Sequence, residues 1–130
     1  MSFQRVYSGA KWESIVGYCR ALRAGERIFV TGTAPVAPEG GVAHVGDAYQ
    51  QTVRCLEIMR EALEGVGAGM EHVTRTRMFV TDIERWEEYG RAHGEVFADA
   101  HPTTTMVEVS RLIDPDMLIE IEADAVAPEP

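Results

Sequence analysis

The residues best equipped for chemistry in this chain of 130 sit near its end. The segment "IEIEADAVA" sets Glu120, Glu122 and Asp124 at every second position, so all three carboxylates leave one face of a strand. A glutamate there can act as a base if its surroundings raise its pKa, although strand glutamates more often meet solvent or an arginine. Arginines are at hand: Arg20 in "GYCRAL", and Arg75 and Arg77 in "VTRTRMFV". A guanidinium can hold the anionic end of a small ligand. The competing expectation is that Arg20 and Arg77 pair with Glu120, Glu108 or another local carboxylate.

The other chemistry-bearing residues point to structure. His93 falls on an apolar stripe and reads as a packed histidine, while His44, His72 and His101 sit in or beside loops. Cys19 and Cys55 are too few and too far apart for a disulfide framework or a zinc site, and are expected as reduced, buried thiols. The glycines of "GVGAG", Gly65 to Gly69, lack the strand before and helix after that a dinucleotide loop requires, so they stop a helix. Trp12 and Trp86 are expected to supply packing area, and Glu84, Glu87 and Glu88 a solvated helix face.

Charge narrows the function classes. Residues 1–80 carry nine Lys/Arg against eight Asp/Glu, a balance of +1, and residues 81–130 carry three against thirteen, a balance of −10. Phosphate affinity needs clustered cations, so a nucleic-acid partner is disfavoured. Apolar runs are too short for a membrane span and no secretory signal opens the chain, which implies a cytoplasmic protein. Hydrophobic residues at 45% and charged residues at 25% suit one globular domain over residues 1–130, which buries about two thirds of its surface.

These side chains need a scaffold. "ERIFVTG" reads as a strand ending at Gly32, and "APVAPEGGVAHVGD" as a loop. Asp47 is an N-cap for a helix from about Ala48 to Val66, with Cys55, Leu56, Met59, Leu63 and Val66 on its buried stripe. In the strand "HVTRTRMFVTD", simple alternation puts Val73, Arg75, Arg77 and Phe79 on one face and Thr74, Thr76, Met78 and Val80 on the other. Asp82 caps a second helix with Ile83, Trp86, Tyr89, His93 and Phe97 on one stripe. Strands from Pro102 to Val109 and from Met117 to Ala127 follow, the last with Ile119, Ile121, Ala123 and Ala125 inward. Strand–helix–strand–helix–strand–strand implies an α+β layer, two helices on one face of a mixed sheet, with the other face left for water or for another subunit.

Three blocks, "GYCRALRAGERIFVTGTAP", "QTVRCLEIMREALEGVGAGMEHVTRTRMFVTDI" and "PTTTMVEVSRLIDPDMLIEIEADAVA", resemble successive segments of the Rid family, also called YjgF or L-PSP endoribonuclease-like, from about Gly17 to Ala127. The resemblance implies a chorismate-mutase-like fold and a homotrimer with clefts between subunits. It also implies hydrolysis of enamines and imines to a 2-oxo acid and ammonia, without metal or cofactor. Tyr18 falls on the family's site tyrosine, Gly32 on the glycine ending the early strand, and Glu120 on the carboxylate credited with handling water. The family's substrate-binding arginine, two residues after a proline, is here Thr104, which cannot form a bidentate, charge-assisted pair. Arg77 or Arg20 is then the candidate substitute anchor, each standing where more familiar deaminases carry a Thr- or Gln-like residue. "YSGAKWE", Tyr7 to Glu13, lies outside the common core in this resemblance and holds the single lysine, Lys11, expected at the surface. Three functions compete on this basis: a hydrolase acting on something other than a simple 2-imino acid, a non-catalytic small-metabolite binding or sensing trimer, and an RNA-directed role, which the charge balance makes weakest.

Overall fold

The structure, a computed structural model, describes residues 2–130. The long helix forms where the apolar period is strongest. α2 (Ala48–Gly65) buries Cys55, Leu56, Met59 and Leu63, and the Asp47 carboxylate accepts the Gln50 N–H at 2.9 Å. It ends where Gly67 turns left-handed at φ 76°, letting the Gly67 and Ala68 amides return to the carbonyls of Glu64 and Leu63. α3 (Trp86–Val96) packs beside it, burying Tyr89, Ala92 and His93. Both helices cover one face of a single sheet.

That sheet contains β1 (Gln4–Val6), β2 (Ala21–Ala24), β3 (Arg27–Thr33), β4 (Val73–Val80), β5 (Thr103–Glu108) and β6 (Ile119–Val126), in the order β1-β2-β3-β6-β4-β5. All neighbours are antiparallel except β4 and β5, which run parallel because α3 carries the chain between them. The last strand therefore lies at the centre, and its alternation divides the molecule. Ile119, Ile121, Ala123 and Ala125 join Ile28, Val30, Met78 and Val80 in the core under the helices. Glu120, Glu122 and Asp124 look the other way, toward the sheet face that α2 and α3 leave uncovered.

The α+β layer with two helices on one face agrees with the expectation, while four local readings need correction. First, the expected element order lacks three elements that precede "ERIFVTG": β1 and β2 extend the sheet, and "KWESIV" forms a short helix, α1 (Lys11–Val16), closed by Gly17 at φ 88°. Second, Val73 is buried with the helix-facing residues. An irregularity opposite Asp124 leaves Thr74 exposed and shifts the alternation of β4 by one residue. Third, Asp82 caps a 3-10 turn, Ile83–Arg85, and Trp86, which opens α3, is 56% exposed and supplies little packing area. Fourth, Cys55 is buried as expected but Cys19 is half-buried. Burial pushes the Cys55 thiol far above its ordinary range.

Candidate functional site

The candidate site is built on a fault in the sheet. Val30 faces Ala123 but Thr33 faces Ile121, so β3 carries one residue more than β6 over this interval. A bulge takes a backbone carbonyl out of the ladder, and Arg20 satisfies it: its Nη1 donates to the Gly32 carbonyl at 2.9 Å and to Thr33 Oγ1 at 3.4 Å. Behind Arg20 stands Glu13 of α1, which accepts Arg20 Nη2 at 3.2 Å and Nε at 3.4 Å. The same carboxylate accepts the Ser8 N–H at 3.1 Å and the Ser8 hydroxyl. Both partners of the pair are buried. Burial alone would raise the Glu13 pKa, but the hydrogen bonds from Ser8 and the Arg20 charge outweigh it and hold the acid below its usual range.

Glu120 is half-buried beside this bulge. A methyl group built on Gly32 would overlap a Glu120 carboxylate oxygen and lie 3.2 Å from its carboxyl carbon. Glycine at 32 is the residue that leaves room for the acid. Burial pushes the Glu120 pKa up, the Arg20 charge partly opposes this, and Glu122 adds to the rise. Neither candidate arginine pairs with it. Arg20 is committed to Glu13, and Arg77 Nη1 contacts Glu122 at 3.3 Å and Asp124 at 3.5 Å. Pairing with local carboxylates is thus the observed state of both cations, with partners other than Glu120 and Glu108.

A cleft of about 680 Å³ opens on the uncovered sheet face, with Arg5, Tyr7, Tyr18, Phe29, Arg77 and Glu122 among its walls. The Arg20 guanidinium lies 5.7 Å from the centre of the Tyr18 ring, which ties the cleft wall to the bulge. Glu120 and Gly32 are not among the lining residues. Thr104 lies elsewhere. It pairs in register with Thr76, and Thr76 with Ala123, so its side chain is on the helix-facing side while Glu120 points to the opposite side. One chain brings Tyr18, Arg20, Gly32 and Glu120 together and leaves Thr104 across the sheet.

Thr104 has its own partners. Thr76 Oγ1 donates to Thr104 Oγ1 at 2.7 Å and lies 2.8 Å from His93 Nε2. His93 packs against Phe97 in a tilted arrangement, 4.6 Å between ring centres, and burial lowers its pKa. The packed histidine read from the helical stripe is therefore also a polar anchor for the edge strand. His72 Nδ1 accepts the Gly69 N–H at 3.0 Å and shapes a turn. Lys11 lies over the Trp12 ring, 5.0 Å from its centre. Among the described residues, no group of three His, Cys, Asp or Glu is disposed to hold a metal ion, and no helix is long and apolar enough to cross a membrane.

Glu13 and Ser8 are the participants that sequence reasoning missed. The available signal was a lone acid in the third position of a short segment closed by Gly17, three residues ahead of Arg20.

Comparison with known proteins identifies the family and the fold. The family model described as Endoribonuclease L-PSP matches residues 9–127, so it begins inside "YSGAKWE" rather than after it. The chain is 43% identical to Rv2704 of Mycobacterium tuberculosis, a member of the YjgF/YER057c/UK114 family. The two structures superpose with a TM-score of 0.89 over 97% of this chain and 100% of that one. It is 36% identical to a RutC family protein of Pyrococcus abyssi, over 83% of this chain and 84% of the relative. It is 32% identical to the 3-aminoacrylate deaminase RutC of Acinetobacter baylyi, over 83% of this chain and 85% of the relative. Matched over residues 9–127 and superposing on a family member, the chain belongs to the endoribonuclease L-PSP, or YjgF/Rid, family.

Proposed function

We propose that the protein is a homotrimeric hydrolase for a small enamine- or imine-type metabolite, with its reaction cleft between subunits and Glu120 handling the water. The observation that carries this reading is the half-buried Glu120 carboxylate, fitted against Gly32, with its pKa raised by burial. A base works best when its pKa approaches the working pH. In the reaction, Glu120 takes a proton from water as the oxygen bonds to the imine carbon. Glu120 returns that proton to nitrogen, and as the C–N bond breaks the hydroxyl proton also passes to nitrogen, which leaves as ammonia while a carbonyl remains. Tyr18 and Gly32 shape the cleft in this reading, and no metal or cofactor takes part.

Placement supports the trimer. Thr104 and Glu120 lie on opposite faces of one sheet, so a cleft that uses both takes them from different subunits. The uncovered face also carries Phe29 at 47% and Val107 at 42% exposure, apolar area that another subunit would bury. The similarity to a 3-aminoacrylate deaminase supports the reaction class. Thr104 argues against an ordinary 2-imino acid substrate, because a hydroxyl does not replace a guanidinium opposite a carboxylate. Arg77 and Arg20 do not serve as the substitute in this reading, since carboxylates of the same chain already hold them.

The Thr104 substitution also supports a second reading, a non-catalytic trimer that binds or senses a metabolite in the same cleft. An RNA-directed role is not proposed, given the −10 balance of residues 81–130. Ammonia release from enamines and imines generated in situ, 3-aminoacrylate and 2-iminobutyrate included, separates the readings. The hydrolase reading expects turnover of at least one non-carboxylate imine by wild type and its loss in Glu120→Gln. Saturable binding without turnover would select the binding trimer.

A further inference from the structure

We infer that Thr104 is a directed hydrogen-bond donor, oriented through Thr76 by His93, and that it selects a ligand whose recognised end is an uncharged carbonyl or amide oxygen. The inference rests on the proposed cleft and specifies what that cleft accepts.

Each threonine hydroxyl has one hydrogen to give. Thr76 lies within hydrogen-bond distance of both His93 Nε2, at 2.8 Å, and Thr104 Oγ1, at 2.7 Å, so it can donate to one of them and must accept from the other. If Thr76 donated to His93, the neutral ring would carry its proton on Nδ1. The Thr76 hydroxyl donates instead to Thr104 Oγ1, so its oxygen accepts from the ring, whose proton then sits on Nε2. With the proton on Nε2, the ring donates to Thr76, Thr76 donates to Thr104, and the Thr104 hydrogen is unspent. His93 is kept in the neutral form by burial, which leaves one Nε2 proton to start the chain.

Thr104 is exposed on the edge strand, so its free hydrogen faces outward while its oxygen is held from behind. Accepting one hydrogen bond polarises a hydroxyl and strengthens the bond it donates. A single neutral donor suits a single neutral acceptor. A carboxylate stripped of water needs a cation, and the segment that carries Thr104 contains thirteen acids against three arginines. The residue that departs from the family's pattern is on this argument a specificity determinant.

The test uses stable probes, 2-oxobutyramide and 2-oxobutyrate, which differ in the group presented to Thr104. Calorimetry on wild type is expected to give tighter binding of the amide. Thr104→Val removes the donor and should erase the preference, about a five-fold loss for the amide with little change for the acid. His93→Gln places an amide N–H where Nε2–H stood and should keep the preference, whereas His93→Phe should lose most of it. Imidazole ¹⁵N shifts should show His93 as the neutral Nε2–H tautomer. Tighter binding of the acid by wild type, an Nδ1–H tautomer, or failure of both probes to bind a folded protein overturns the inference. Loss of all turnover with the amide preference intact would sink the hydrolase reading alone.

Discussion

Gly32 and Glu120 are complementary in shape: the side chain that position 32 lacks is the space that the Glu120 carboxylate fills. The Gly32 backbone lies outside the left-handed region, so alanine is sterically allowed there in its main chain. The conflict falls on the far end of a flexible acid. Gly32→Ala is therefore expected to change stability by about 1 kcal/mol or less while driving the carboxylate out toward water. A ¹³C carboxyl titration should then show the Glu120 pKa falling back toward its ordinary value. An unchanged titration would mean that Gly32 does not set the position of Glu120.

The buried pair behind the bulge predicts a larger loss. Glu13→Gln leaves Arg20 buried with the Gly32 carbonyl and the Thr33 hydroxyl but without a counter-charge, and removal of one member of such a pair costs about 3–5 kcal/mol. Glu13→Gln with Arg20→Gln together should be less harmful than the sum of the two single changes. Urea unfolding of the double-mutant cycle measures this. Additive effects would show that the two side chains act separately.

Arg23 offers a control without a carboxylate. It is buried, and its guanidinium donates to the carbonyls of Gly25, Val66, Gly67, Ala127 and Pro128, closing the end of α2 and the C-terminal segment onto β2. Arg23→Lys keeps the charge but cannot reach in the same fork, so a loss of about 2 kcal/mol in chemical unfolding is expected. A loss equal to that of Arg23→Met would mean that geometry, not charge, accounts for the whole contribution.

The extent to which these features could be read from sequence follows their physical cause. α2 was legible because Cys55, Leu56, Met59 and Leu63 repeat at helical spacing over about two turns and Asp47 marks the start. α1 was not, because its Ile15 and Val16 are exposed and the one residue it buries is an acid. Alternation assigned the faces of β6 correctly and failed at Val73, where the irregularity in β4 breaks the two-residue period without any glycine or proline to announce it. The members of the candidate site were recognisable by family resemblance. Their arrangement was not, since the separation of Thr104 from Glu120 depends on β6 entering between β3 and β4, a choice of strand order that local pattern does not encode.

His93 predicts a pH dependence whose sign is fixed by burial. Its folded pKa is lowered, so the folded protein binds fewer protons than the unfolded chain just below the ordinary histidine range. Stability is then full above about pH 6.5 and falls as the pH drops from there toward the folded pKa. His93→Gln cannot titrate and should flatten that part of the profile while retaining a donor for Thr76. Guanidinium midpoints between pH 7 and pH 5 compare the two proteins. Parallel profiles would show that other groups, not His93, govern acid sensitivity.

Phe29 stands opposite Asp124 in the β3–β6 ladder, on the same face as Leu22, Arg77 and Glu122. Burial of this face against other subunits would reward Phe29, whereas Phe29→Asp sets a second carboxylate directly across from Asp124 and beside an already acidic strand. The fold of one subunit should tolerate the change, because Phe29 is 47% exposed and outside the helix-covered core. Light scattering coupled to size exclusion is expected to give three times the 14.4 kDa chain mass for wild type and a shift toward the single-chain mass for Phe29→Asp. A wild-type monomer at all concentrations would remove the basis for a shared cleft, and a fully trimeric Phe29→Asp would place the subunit contact on another surface.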